Sequence, residues 1–158
     1  MDINTPKGAE TLIQELEAAE IFERHHPKLL YCHTPKDEPA RVDAVLVKGR
    51  HVVAVVETKC RPSMDLADLM VKYEGTWLVT NQKVIDNKTC AELMNVPFVG
   101  FLYLPGDKKL LFKTIWHPKR GWAKRINVRR TETQATVNGG KAVRDNAYID
   151  MSDADVIE

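Results

Sequence analysis

The sequence predicts an α/β domain with a mixed central sheet. Three observations predict it. Residues 9–22 carry a helical apolar repeat, two runs of β-branched residues flank Lys48-Gly49-Arg50, and helix-like and strand-like segments alternate from residue 64 to residue 115. With 158 residues, 44% of them hydrophobic, the chain has material for one ordinary core. No apolar stretch approaches the roughly 18 residues needed to cross a bilayer. The opening MDINTPKGAE lacks the basic-then-apolar order of a signal peptide. Cys32, Cys60 and Cys90 are too few and too irregularly spaced for a disulfide framework. The expectation is a soluble, cytoplasmic, single-domain protein with no membrane association.

Taken in order, the first helix has Thr5 as N-cap and Pro6 as its first residue. Leu12, Ile13, Leu16, Ala19 and Ile21 or Phe22 form its apolar stripe, with Glu15, Glu20 and Glu23 largely outside it. Pro27 closes the segment. Leu29-Leu30-Tyr31-Cys32 reads as a strand, and residues 33–40, with two prolines and several charges, as a loop. Residues 42–47 and 51–59 then read as an antiparallel hairpin turning at Gly49. The second of these strands is apolar almost to its end, as expected for a strand covered on both faces. Residues 64–74 are predicted helical with Gly75 as a stop. A strand at 76–80, a helix at 83–94 and a strand at 96–104 follow. Pro105-Gly106-Asp107 marks a turn before a strand at 110–115. Asn138-Gly139-Gly140 predicts a hairpin turn between 131–137 and 142–149, and the acidic tail is expected to fray.

Chemistry concentrates where the apolar strand ends. Glu57 and Lys59 are two apart and project from one face of a strand. Asp43 lies 14 positions before Glu57, early in the neighbouring antiparallel strand, so the two carboxylates meet at one end of the hairpin. Burying like charges together is costly unless a cation compensates. An ExK triplet alone is most simply a strand-end ion pair. Asp43 at matching distance turns the balance toward a hard cation such as Mg²⁺, with Mn²⁺ as substitute, held by carboxylates and a substrate phosphate. Lys59 alongside would stabilise charge as water attacks the phosphate.

The series Asp43, a Gly-containing turn, an apolar strand and Glu57-Thr58-Lys59 resembles the PD-(D/E)XK nuclease superfamily. The resemblance implies a restriction-endonuclease-like core over residues 1–115, with residues 116–158 as a basic, hairpin-bearing extension packed on the same domain. Val42 stands where that superfamily usually has Pro. By this resemblance Asp43 and Glu57 would be metal ligands, with the Thr58 carbonyl as a further one. Lys59 would position or deprotonate the attacking water or stabilise the transition state. Many members add a glutamate from the first helix. Lys7-Gly8-Ala9-Glu10 is similar to the opening of the archaeal Holliday-junction resolvases, which favours Glu10, with Glu17 on the same helix face as its rival. Ser63, Asp65 and Lys72 on the following helix, and Asn81 and Gln82 after the next strand, stand near enough in sequence to contribute, although cap or surface roles suit them better.

Other constellations carry less. His25, His26, Cys32 and His33 lack the paired spacing of zinc ligands. Cys60 faces away from Lys59 and has no His partner, which makes it a small core residue rather than a nucleophile. No Gly-rich phosphate loop, nucleophile elbow or dinucleotide fingerprint is present.

Charge gives the second signal. Lys and Arg total 23 against 22 Asp and Glu, a net +1, so bulk electrostatics argues for no anionic partner. Nine of the basic residues fall between 108 and 130, however, with no acidic residue among them. That leaves 14 basic against 22 acidic elsewhere, a localised anion-binding face on an acidic chain. Arg120, Lys124, Arg125, Arg129 and Arg130 are the candidate phosphate contacts, and Trp122 a candidate for base stacking. Together these readings predict a metal-dependent nuclease acting on DNA. Alternatives are a junction-resolving endonuclease acting as a homodimer, and a catalytically silent nucleic-acid-binding domain on the same fold. The compact length suits a small bacterial or phage enzyme.

Overall fold

The computed structural model describes residues 4–35, 40–134 and 140–158. Two sheets and two helices form it. The larger sheet is mixed, and its strands run in the order β1 (Leu30–His33), β2 (Ala44–Lys48), β3 (His51–Cys60), β5 (Phe98–Leu104), β6 (Lys109–His117) and β10 (Asp155–Ile157). The short β7 (Gly121–Trp122) also pairs with β6. Only β3 and β5 are parallel neighbours; the other pairs are antiparallel. A smaller antiparallel sheet has the order β4 (Thr76–Thr80), β9 (Lys141–Asp150) and β8 (Ile126–Gln134).

Helix α1 (Pro6–His25) covers one face of the large sheet, where Ala18, Ala19, Ile21 and Phe22 pack with Tyr31, Ala54, Val56 and Phe101. Helix α2 (Asn81–Met94) and the small sheet cover the other face, where Val84, Ala91, Trp77, Val79 and Ile149 pack with Val55, Phe98, Leu102 and Ile115. Alternate residues of β3 therefore feed two separate cores, which is why its sequence is almost unbroken apolar. No helix among the described residues is long and apolar enough to cross a membrane.

Local chemistry explains most boundaries. Thr5 Oγ1 accepts the Gly8 amide at 3.0 Å and Pro6 occupies the first helical position, as the sequence predicts. The β2–β3 hairpin turns at Gly49 with φ +61°, conformational space that a Cβ would make costly. Pro62 lies just beyond the last residue of β3.

Four expectations change. The predicted stripe of α1 faces inward only in part. Ala19, Ile21 and Phe22 are buried as expected, but Ile13 and Leu16 stand half-exposed, and Gln14, Glu15 and Ala18 are buried. Residues 64–74 make only a short helix, ending in the π-helical turn Asp68–Lys72. Strand β4 does not enter the central sheet, because its hydrogen bonds go to β9, 70 residues further on. The acidic tail does not fray: Asp155–Ile157 pairs with the edge of β6. The predicted pairing of 131–137 with 142–149 is present as antiparallel β8 and β9, though residues 135–139 at its turn lie outside the described residues, as do residues 36–39 of the predicted loop.

Candidate active site

The β2–β3 register fixes the centre. Ala44 faces Val56, so Asp43, immediately before β2, comes opposite Glu57. Thr34 holds this entry to β2: its amide donates to the Asp43 carbonyl at 3.0 Å and its hydroxyl to the Val42 carbonyl at 2.7 Å. The Thr58 amide donates to Asp43 Oδ2 at 3.0 Å, which pins the carboxylate against the end of β3. Glu57 and Lys59 share one face of β3, as the period of two requires, and the Lys59 ammonium lies 3.3 Å from Glu57 Oε1. Asp43, Glu57 and Lys59 are thus together.

Two further side chains reach this cluster from α2, and sequence reasoning missed both. Lys83 Nζ lies 3.8 Å from Asp43 Oδ1 and 3.5 Å from the Ala40 carbonyl. Asn87 Nδ2 donates to Glu57 Oε2 at 3.1 Å and to the Lys83 carbonyl at 2.8 Å. Their signal was the i, i+4 spacing, with Asn87 on the same stripe as buried Val84 and Ala91. A polar residue on the buried stripe of a helix is informative once the helix start is known.

Electrostatics at the cluster is finely opposed. Glu57 is fully buried. Burial raises its carboxyl from 4.5 to about 7, with Asp43 adding to the rise and Lys59, Lys83 and Asn87 opposing it. Glu57 Oε1 accepts no hydrogen bond and has only the Lys59 charge beside it. Two carboxylates, one with a buried oxygen lacking a donor, are the oxygen-only donor set that Mg²⁺ takes before water and phosphate complete its shell. Among the described residues no three His, Cys, Asp or Glu side chains converge as a self-sufficient metal cage.

The remaining predicted residues are placed as follows. The Thr58 side chain turns to the opposite face of β3, where its hydroxyl meets Tyr31 Oη at 2.6 Å. Glu10 is exposed on α1, and its Oε1 lies 3.5 Å from Gln14 Nε2. Glu17 accepts from the Tyr103 hydroxyl at 3.0 Å. Both sit on the helix that covers the face of the sheet away from Glu57 and Lys59. Glu15, expected outside the apolar stripe, is instead the buried α1 glutamate, 3.9 Å from His33 Nδ1. Its charge is felt by Tyr31 and Cys60, both of which also feel Asp43. Asp65 acts as a cap: its Oδ1 accepts the Asp68 amide at 2.7 Å. The Lys72 ammonium lies over the Tyr73 ring, and Gln82 donates to Asp86 at 3.0 Å. Cys60 packs on the α1 side, and burial pushes its thiol up to about 12, which suits core packing and not nucleophilic attack.

The basic stretch divides. Arg125 donates to Asp150 at 3.2 Å, Arg130 lies 3.5 Å from Asp145, and the Arg129 guanidinium stacks 3.9 Å over the Tyr148 ring. Arg125 and Arg130 stay largely exposed despite these partners. Arg120 and Lys124 are exposed, and Trp122 is half-exposed on β7. No protein-family model and no curated protein sequence matches the chain.

Proposed function

We propose that this protein is a Mg²⁺-dependent nuclease that hydrolyses phosphodiester bonds in DNA on a restriction-endonuclease-like core. One observation carries the reading: Asp43 and Glu57 are held side by side at the ends of β2 and β3, with Lys59 against Glu57 and Lys83 against Asp43. A structural ion pair has no need of a second buried carboxylate, and burying that second charge is unfavourable. The strand order also fits, with a hairpin followed by a helix that returns to a parallel neighbour of β3.

Asp43 and Glu57 would hold the ion, with the Thr58 carbonyl as a further oxygen. When bound, Mg²⁺ supplies Lewis acidity toward a phosphate oxygen and lowers the pKa of water. The chain's own residues do the rest. The Thr58 amide fixes Asp43, and Asn87 fixes Glu57 by its Oε2, leaving Oε1 turned to Lys59. Lys59, one-third exposed, orients the attacking water and compensates charge that develops on the phosphate. Lys83 places a positive charge 3.8 Å from Asp43 Oδ1. Arg120, Lys124, Arg125 and Arg130 supply sequence-independent phosphate contacts.

The test is cleavage of labelled plasmid, linear duplex, single-stranded and four-way-junction DNA in Mg²⁺ or Mn²⁺, beside Asp43→Ala and Lys59→Ala. Metal-dependent cutting lost in both variants is expected. Metal-independent DNA binding with no cutting of any substrate would leave a silent binding domain in its place.

A further inference from the structure

Helix α2 has a second functional flank. While Lys83 and Asn87 turn toward Asp43 and Glu57, Asn81 and Ile85 turn to a cleft of about 370 Å³ between α2 and β8. Trp122, Ile126 and Val128 complete its apolar wall. Ile85, Trp122 and Val128 are each 46–53% exposed, a concentration of apolar surface on a face that is otherwise cationic. Among the described residues no carboxylate lines this cleft, and Arg125, which donates to Asp150 and stays largely exposed, lines it too. Past Ile85 the concavity continues between Arg130 and Arg144, where Asp145 is the acidic residue and is paired with Arg130. Trp122 is fixed by its strand pairing to Trp116, whose own ring is buried beneath the Lys88 ammonium.

An apolar floor suits many occupants, but an exposed indole beside Arg125, with Arg130 and Arg144 along the adjoining concavity, is complementary to a flat aromatic group carried on an anionic chain. A nucleobase attached to its phosphates has that chemistry. Bases stacked within a duplex cannot enter, so the occupant has to be unpaired or extruded. The cleft and the carboxylate pair lie on opposite flanks of the same turns of α2, about one helix diameter, ~10 Å, apart.

We propose that the α2–β8 cleft binds an unpaired base of the DNA strand that is cut, stacked on Trp122, with Arg125 and Arg130 neutralising the flanking phosphates. The inference rests on the nuclease reading and deepens it, since it selects single-stranded or locally opened DNA as the substrate class.

The experiment measures oligothymidylate binding in EDTA, where no metal-dependent cutting occurs, by tryptophan fluorescence. Trp77 and Trp116 are buried, so a change on binding reports Trp122. Wild-type fluorescence is expected to be quenched. Trp122→Leu is expected to weaken oligothymidylate binding by about 5- to 150-fold, the worth of one stacked base. Binding of a blunt hairpin duplex should change little, and Trp122→Phe should retain most single-strand affinity. Unquenched fluorescence, unchanged affinity in Trp122→Leu, or equal losses on single strand and duplex would each overturn the cleft. So would sedimentation showing that Trp122→Leu dissolves a self-associated form, which would make this face an interface between copies. Lys59→Ala separates the two claims. Full quenching by oligothymidylate in that variant supports the cleft whether or not cutting survives, whereas cutting that survives the substitution overturns the catalytic reading alone.

Discussion

Glu57 is the fully buried carboxylate of the site. Its carboxyl is raised from 4.5 to about 7 chiefly by burial. Across that window the metal-free folded chain keeps a proton that the unfolded chain has released, so stability falls as pH rises from about 4.5 to about 7. The shift bounds this effect at roughly 3 kcal/mol. Glu57→Gln should flatten the pH dependence of the thermal midpoint and raise stability above about pH 7, while abolishing cleavage. Protons and metal compete for the same carboxylate, so Mg²⁺ should raise the midpoint more at about pH 8 than at about pH 6. An equal rise at both would remove Glu57 from the ligand set. Asn87→Ala leaves Glu57 Oε2 without its donor and should destabilise by about 1–3 kcal/mol in urea unfolding. The Cys60 thiol, pushed up to about 12, should react with iodoacetamide far more slowly than an unhindered thiol at neutral pH.

At the scale of elements, one close approach ties the two sheets together. Trp77 on β4 lies over Gly100 on β5, where an added Cβ would come 2.5 Å from Trp77 Cζ3. Gly100→Ala should cost about 1–3 kcal/mol by overpacking, read as a lower denaturant midpoint at unchanged m. This contact also marks where sequence reading stops. The β2–β3 hairpin was legible from the turn at Gly49, and Glu57 and Lys59 from their spacing of two, but placing Asp43 opposite Glu57 also takes a one-residue register shift between Leu46 and Val47 that the turn does not announce. The partner of β4 was not, because strand propensity at Thr76–Thr80 says nothing of a neighbour in the distant β9. The inward face of α1 was legible only in part. Ala19, Ile21 and Phe22 face the sheet as their spacing predicts, whereas Gln14 and Glu15 are buried and Ile13 and Leu16 are not, which spacing alone does not reveal. Lys83 and Asn87 escaped notice for the same reason: a helix reveals its polar inward residues only once its packing is known.

At the scale of the molecule, the large sheet separates two faces with different duties. The α1 face is an aromatic core in which Phe22, Phe101 and Phe112 pack within 4.9–6.1 Å of one another. The α2 face carries the Glu57–Lys59 pair, Lys83, Asn87 and the cleft floored by Trp122. The basic stretch between residues 108 and 130 runs through β6, β7 and the start of β8, so on the proposed reading local charge and not the net +1 would set where DNA lands. Replacing Arg125 and Arg130 together by Gln should weaken DNA binding without regard to sequence and lower the salt dependence by about two counterions. Their partners Asp150 and Asp145 are exposed enough, or sufficiently hydrogen-bonded, for the fold to persist. The central claim is that Asp43, Glu57 and Lys59 form one metal-dependent centre for phosphodiester hydrolysis. A single-turnover rate on end-labelled DNA, taken with Mg²⁺, with EDTA, and with Lys59→Ala in Mg²⁺, tests it most directly. The account predicts cutting in Mg²⁺ alone and a fall of at least about a hundredfold in the variant. Cutting that persists in EDTA, or at the wild-type rate in Lys59→Ala, would contradict it.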